Sequence, residues 1–152
     1  MDRLTGAWDR ERTEAFLESR TIPIRLSCHT QADALWMLSL WYLYRDGALW
    51  CATNAEANVV DYLAGDDRVA FEISTNEPPY KGVRGNGTAS VEADPDKEVL
   101  KDLLERYLGG TDSPLAERLL SPDRDEVRIR IEPARVYTWD FSNRMQGSVS
   151  DT

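Results

Sequence analysis

The stretch LWMLSLWYLYRDGALWCATN, residues 35–54, decides how the chain folds. Residues 35–44 are apolar on both faces, and Arg45-Asp46-Gly47 interrupts them before ALWCAT resumes at residues 48–53. Asp-Gly between two strand-like runs signals a tight hairpin, because Gly supplies the positive φ such a turn needs. The 35–44 run therefore reads as one strand buried on both faces, placed centrally in a sheet or at a subunit interface. Trp36, Trp41 and Trp50 fall on this hairpin and suit an interface or the wall of a ligand groove.

Working outward, residues 22–29 alternate, with Ile22, Ile24, Leu26 and Cys28 on one face, as a half-buried strand does. Residues 8–19 read as a short amphipathic helix with Trp8, Ala15, Phe16 and Leu17 as its apolar stripe. Downstream, Asn58 to Ala64 make one or two helical turns, and Gly65 suits their end. Residues 68–74 alternate again before Glu77-Pro78-Pro79 breaks the chain. Residues 81–91 form a Gly-rich strand with Val83, Gly85, Gly87, Ala89 and Val91 on one face, where another group can approach the backbone closely.

Asp94-Pro95 reads as N-cap and first residue of a helix whose Val99, Leu100, Leu103, Leu104, Tyr107 and Leu108 recur at helical spacing. Gly109-Gly110 close it, and Ser113-Pro114 open a second helix through Leu120. Residues 127–131 and 135–141, separated by Pro133, read as a closing strand pair. Antiparallel strands on short turns, with helices grouped in two places, make an α+β chain whose sheet forms a small closed barrel. At 152 residues one domain is expected, with a short flexible tail over about 144–152.

Charge narrows the function. Asp plus Glu number 27 against 18 Lys plus Arg, a net −9 that argues against a nucleic-acid or anionic-membrane partner. No apolar run reaches the roughly 20 residues that span a bilayer. MDRLTGAWDRER lacks a secretory leader's layout, which points to the cytoplasm. The basic residues are 15 Arg and three Lys, Lys81, Lys97 and Lys101. Fifteen Asp with so few Lys suggest a surface adapted to concentrated salt, where the Debye length falls to about 3 Å at 1 M and carboxylate self-repulsion costs little. Cys28 and Cys51 sit in apolar stretches and read as buried free thiols.

The usual catalytic constellations are absent. His29 is the one histidine, so triads and His-based metal sites have no pattern to stand on, and no metal is expected. Neither a P-loop nor a dinucleotide fingerprint is present.

Read in order, the segments resemble the pyridoxamine 5′-phosphate oxidase-like, flavin-binding split-barrel superfamily over roughly residues 9–142. The resemblance rests on the leading helix ending in EAFLES, the hairpin SLWYLYRDGALWCATN, VVDYLAGDDRVAFEIS, PPYKGVRGNGTASV and the closing VRIRIEPARVYTWDF. It implies a six-stranded antiparallel split β-barrel with peripheral helices, forming a homodimer with its ligand groove between the subunits. It implies FMN as cofactor, with a deazaflavin or no cofactor as the alternatives, and hydride transfer to or from a small substrate. A non-catalytic dimer holding a planar ligand or haem, or one whose cofactor site is lost, is the other reading.

Carried onto this chain, the cofactor-binding positions are Leu38, Ser39, Leu40, Trp41, Thr53, Asn54, Asn58, Val59 and Arg84. Thr53-Asn54 match the family pattern. The Ser and Lys that usually follow fall on Ala57 and Val59, and Trp36 to Trp41 carry no basic residue. A buried flavin phosphate without cations is costly, and neutral hydrogen bonds from Thr53, Asn54 and Asn58 return only about 0.5–1.5 kcal/mol each. No catalytic acid or base is named by the residues.

The acid-rich, lysine-poor composition, of the kind met in haloarchaeal proteins, gives a first prediction. The melting temperature should fall when the protein is moved from ~2 M KCl to ~0.1 M. A melting temperature that is unchanged or higher in dilute buffer contradicts the high-salt reading.

Overall fold

The computed structural model describes residue 1 and residues 3–144. The tail expected over about 144–152 therefore lies, from residue 145 on, outside the described residues.

The hairpin forms as read. Asp46 and Gly47 take φ of 54° and 74°, the left-handed pair a two-residue turn requires. They join β4 (Leu43–Arg45) to β5 (Ala48–Asn54), with Leu43 opposite Trp50. The apolar run before it is not one strand, which corrects the first expectation. β3 (Leu35–Leu40) stops at Leu40 and lies at a sheet edge, with Leu35 78% and Met37 62% exposed. Tyr42 fixes the break. Its ring is fully buried, its hydroxyl donates to the Leu17 carbonyl at 2.8 Å, and its backbone N–H donates to the Tyr107 hydroxyl at 3.2 Å.

The other strands are β2 (Ile24–His29), β6 (Arg68–Ser74), β7 (Lys81–Ala93) and β8 (Glu126–Asp140). The sheet runs β3-β2-β6-β7-β8-β5-β4, antiparallel throughout, and β1 (Arg3–Gly6) adds to β8 in parallel. Among the described residues eight strands replace the six expected, and their hydrogen-bonded path does not close. Its two ends are nonetheless joined by Trp41-Tyr42. Laid flat, six strand spacings would cover about 29 Å. Leu40 to Leu43 can span only about 11 Å. The sheet must curl until its ends nearly meet.

The closing strand pair is also corrected. Residues 126–140 form one strand, and Pro133 sits at a bulge where Asn86 pairs Arg135 and Gly87 pairs Pro133, leaving Ala134 extra. A bulge tolerates a residue without an N–H. β8 changes partner there: its first half, to Ile131, pairs β5, and Arg135 to Thr138 pair β1. The β1 strand carries no alternation that marks it in sequence.

Among the described residues four helices flank the sheet. α1 (Arg10–Ser19) is capped by Asp9, whose carboxylate accepts from the Arg12 N–H. α2 (Asn58–Gly65) drops Val59 and Leu63 into the core. α3 (Glu98–Leu108) begins four residues after the expected Asp94, yet Asp94 still serves it: its two oxygens accept from the Glu98 and Val99 N–H groups. α4 (Pro114–Leu119) is capped by Ser113. The core lies inside the curl, built from Ile24, Leu26, Cys28, Val69, Phe71, Ile73, Ile129 and Ile131 with Phe16, Leu17, Val59 and Leu63 from the helices. α3 and α4 pack over β5 through smaller clusters around Leu103 and Leu104. Both free cysteines are buried, and burial pushes the Cys51 thiol up to about 12. No helix among the described residues is long and apolar enough to cross a membrane.

The Gly-rich strand lets β7 and β8 approach. A Cβ on Gly85 would stand 2.2 Å from the Arg135 carbonyl oxygen and 2.9 Å from the Phe71 ring, and one on Gly87 1.9 Å from the Glu132 oxygen. Gly65 has nothing within 4 Å. Gly85→Ala should therefore cost about 1–3 kcal/mol in denaturant unfolding, while Gly65→Ala should be neutral or stabilising by up to about 1 kcal/mol. Equal stabilities would contradict the close strand approach.

Candidate functional site

The outer face of β3, β2, β6, β7, β8 and β1 carries the polar side chains that the alternating strands turn away from the core. Register aligns them in two rows. One row is Met37, Ser27, Ala70, Asn86, Arg135 and Arg3; the next is Ser39, Arg25, Glu72, Arg84, Tyr137 and Thr5. Between them lies a groove of about 860 Å³ that takes in all of these residues but Ser39.

Its electrostatics differ from the rest of the molecule. Arg3, Arg25, Arg84 and Arg135 line it against one carboxylate, Glu72. Elsewhere Arg10, Arg12, Arg45, Arg68, Arg124, Arg128 and Arg130 are each ion-paired, while among the described residues Arg20, Arg106, Arg118 and Arg144 are not, Arg106 donating instead to backbone carbonyls. Among the described residues no ion pair involves any of the four groove arginines. Arg25 donates to the Pro23 carbonyl at 3.3 Å. Arg84 stacks its guanidinium over the Tyr137 ring at 4.6 Å and the Trp139 ring at 5.4 Å. Glu72 sits opposite Arg84 in register but accepts from the Ser74 hydroxyl instead. Arg135 pairs Arg3 directly across the parallel ladder and lies diagonal to Arg84. Three cations thus gather at β1, β8 and β7, with a fourth, Arg25, two strands away on β2.

A second cavity of about 410 Å³ lies between the sheet and α3–α4. Ser39, Leu40, Trp41 and Thr53 line it together, so the structure does bring these four expected positions into one place. Its one cation, Arg124, is committed: Nη2 stands 3.1 Å from Oε1 of the buried Glu126. Trp41 stacks on Tyr107, with centroids 5.1 Å apart and planes 12° from parallel.

The remaining expected positions lie elsewhere. Arg84 is in the groove, not in this second cavity. Leu38 packs against the core. Asn54 turns its side-chain oxygen back to accept from the Glu56 N–H at 2.9 Å. Asn58 is exposed at the start of α2. Val59 is 1% exposed and belongs to the core, so it has no free surface to offer a phosphate. Of the tryptophans read as a ligand wall, Trp36 packs edge-on against Tyr62 and Trp50 donates its indole N–H to the Arg45 carbonyl.

Arg3, Arg25, Glu72, Arg135 and Tyr137 are among the groove residues that the sequence did not single out. The available signal was the outward position of Arg25 in its alternating strand. Their convergence depends on pairing between strands more than a hundred residues apart.

No family model and no curated protein sequence matches the chain. Solved structures do. A conserved hypothetical protein from Mycobacterium tuberculosis is 23% identical, with a TM-score of 0.75 over 93% of this chain and 89% of its own. An F420 reductase is 20% identical, with a TM-score of 0.66 over 86% of this chain and 98% of that one. A putative pyridoxamine 5′-phosphate oxidase from Listeria innocua is also 20% identical, with a TM-score of 0.64 over 84% and 95%. The curled antiparallel sheet, the helices that flank it and these likenesses agree: the chain has the fold of the pyridoxamine 5′-phosphate oxidase-like split-barrel proteins.

Proposed function

We propose that this chain is a homodimeric split-barrel protein that binds a flavin-type cofactor, FMN or a deazaflavin, in the arginine-lined groove and uses it for hydride transfer with a small substrate. The observation that carries the reading is the set of four arginines without carboxylate partners on a protein of net charge −9. An acidic chain with 27 carboxylates has ample means to pair its arginines. Four that make no ion pair and face one groove, with Glu72 the one carboxylate among them, attract an anion, and a phosphate takes charge-assisted hydrogen bonds from guanidinium forks.

The residues fit the group there better than at the positions carried over from the family. The groove falls within the roughly 300–1,000 Å³ of ordinary ligand sites. Arg84 is already held by two rings, so it loses little freedom on taking an oxyanion. Met37 and Tyr137, both well exposed in the groove, offer apolar surface for a ring system. In the second cavity Arg124 is neutralised by Glu126, and Val59 is core. A bound flavin supplies the hydride chemistry; the chain binds it, orients it and excludes water. No groove residue other than Glu72 offers a carboxylate or imidazole for proton transfer.

A dimer suits the same geometry. Thr53 and Arg84 face different cavities of one chain, so both contact one ligand only when a second copy brings them together. Leu35, Met37 and Tyr137, all well exposed on the outer face, are apolar surface that such a copy would cover. The second reading, a dimer without flavin, draws on the absence of cations between Trp36 and Trp41. Haem has less support, since the one imidazole, His29, lies outside the groove beside Asp33.

Titration of the protein with FMN, a deazaflavin and haem, followed by absorbance and by sedimentation, tests this. Saturable uptake of a flavin-type ligand by a dimer is expected. Arg84→Ala should weaken it by about 10- to 100-fold, the worth of a charge-assisted contact, while Arg118→Ala on exposed α4 should leave it unchanged. No uptake, or equal uptake by Arg84→Ala, would overturn the assignment.

A further inference from the structure

His29 ends β2, Asp33 sits in the turn between β2 and β3, and Asp66 follows α2. A potential ligand atom from each lies within 4.8 Å of the other two. The imidazole Nδ1 is buried and makes no hydrogen bond, although Asp33 Oδ1 stands 3.2 Å from it. In the tautomer that carries its proton on Nε2, the Nδ1 lone pair and the Asp33 carboxylate face each other as two acceptors. A cation resolves that arrangement.

We propose that His29, Asp33 and Asp66 form a site for a divalent transition metal of the zinc class, with water completing the coordination. Three protein ligands and an open position are a familiar zinc arrangement, and the imidazole favours zinc over calcium or magnesium. Tetrahedral ligand atoms around zinc stand roughly 3.3–3.6 Å apart, so the present spacing needs a modest contraction. His29 Nδ1 and Asp33 Oδ1 already stand at 3.2 Å, so the contraction falls between that pair and Asp66.

Arg68 is the competing charge and has to be counted. Its backbone N–H and Nε donate to Asp66 Oδ1 at 3.1 and 3.0 Å, and its Nη2 donates to Oδ2 at 2.7 Å. A carboxylate has about four acceptor positions, which leaves one for a metal. The same bonds hold the Asp66 carboxyl well below the usual range, so it is anionic and needs no deprotonation to bind. Two carboxylates against Arg68 leave the pocket net negative before the ion arrives. Asp67, exposed beside them, adds to that charge.

The site fastens the β2–β3 turn to the end of α2. It lies one outward-facing position along β2 from Ser27, at the margin of the arginine-lined groove. Sequence spacing hides it, because Asp66 is brought in only by the pairing of β2 with β6.

Metal-stripped wild type, titrated with Zn²⁺ by calorimetry and with Co²⁺ by visible absorption, tests the site in the salt that keeps the protein folded. One ion per chain is expected. His29→Ala and Asp33→Asn should each weaken binding at least tenfold, while Asp123→Asn, exposed on another loop, should bind as the wild type does. Melting curves without metal separate this from misfolding; Asp33→Asn alters an exposed turn side chain and should melt like the wild type. A wild type that takes up no zinc, or a His29→Ala variant that binds it equally, would overturn the proposal.

Discussion

Two residues, Trp41 and Tyr42, join the first and last strands of the hydrogen-bonded path, and the sheet has no way to satisfy that link except by curling. Everything else follows from the curl. It turns one face of every strand inward, where the aliphatic side chains exclude water, and the other face outward. It also draws β7 and β8 so close that Gly85 and Gly87 admit no side chain. Tyr42 anchors the link itself, with its ring in the core and its hydroxyl on the carbonyl of Leu17. Arg106 reinforces the same corner by donating to the carbonyls of Leu17, Glu18 and Arg20, which closes the open end of α1.

The bulge at Pro133 then sets the outer face. By letting β8 trade β5 for β1 halfway along, it places Arg135 beside Arg3 and diagonal to Arg84. Cations this close repel one another. Their cost falls when an anion sits among them, and in concentrated salt it is screened. A cluster of four arginines around a single carboxylate, on a chain with a large excess of carboxylates, is what supports the proposed anionic ligand.

Much of this was legible in the sequence, for physical reasons that can be named. The Asp46-Gly47 turn, the 22–29 and 68–74 alternations and the α3 periodicity are local signals, and all of them appear in the structure, the 22–29 alternation as a strand that begins at Ile24. The errors were of another kind. The 35–44 run looked continuous because apolarity alone does not reveal that Tyr42 turns into the core and breaks the strand. Pro133 looked like a terminator because a bulge is a property of two strands. Asp94 was recognised as a cap, but its reach of four residues to Glu98 was not. The site suffered most. Ser39, Leu40, Trp41 and Thr53 do converge, yet the groove depends on Arg3, Arg25 and Arg135, which only the register of distant strands assembles.

The visible absorption spectrum of the protein as purified in high salt, compared with the supernatant after denaturation, tests the central claim most directly. A flavin-type band that passes into the supernatant is the predicted result. A colourless protein that leaves no chromophore in the supernatant and gains no band when FMN or a deazaflavin is added before the measurement would contradict it.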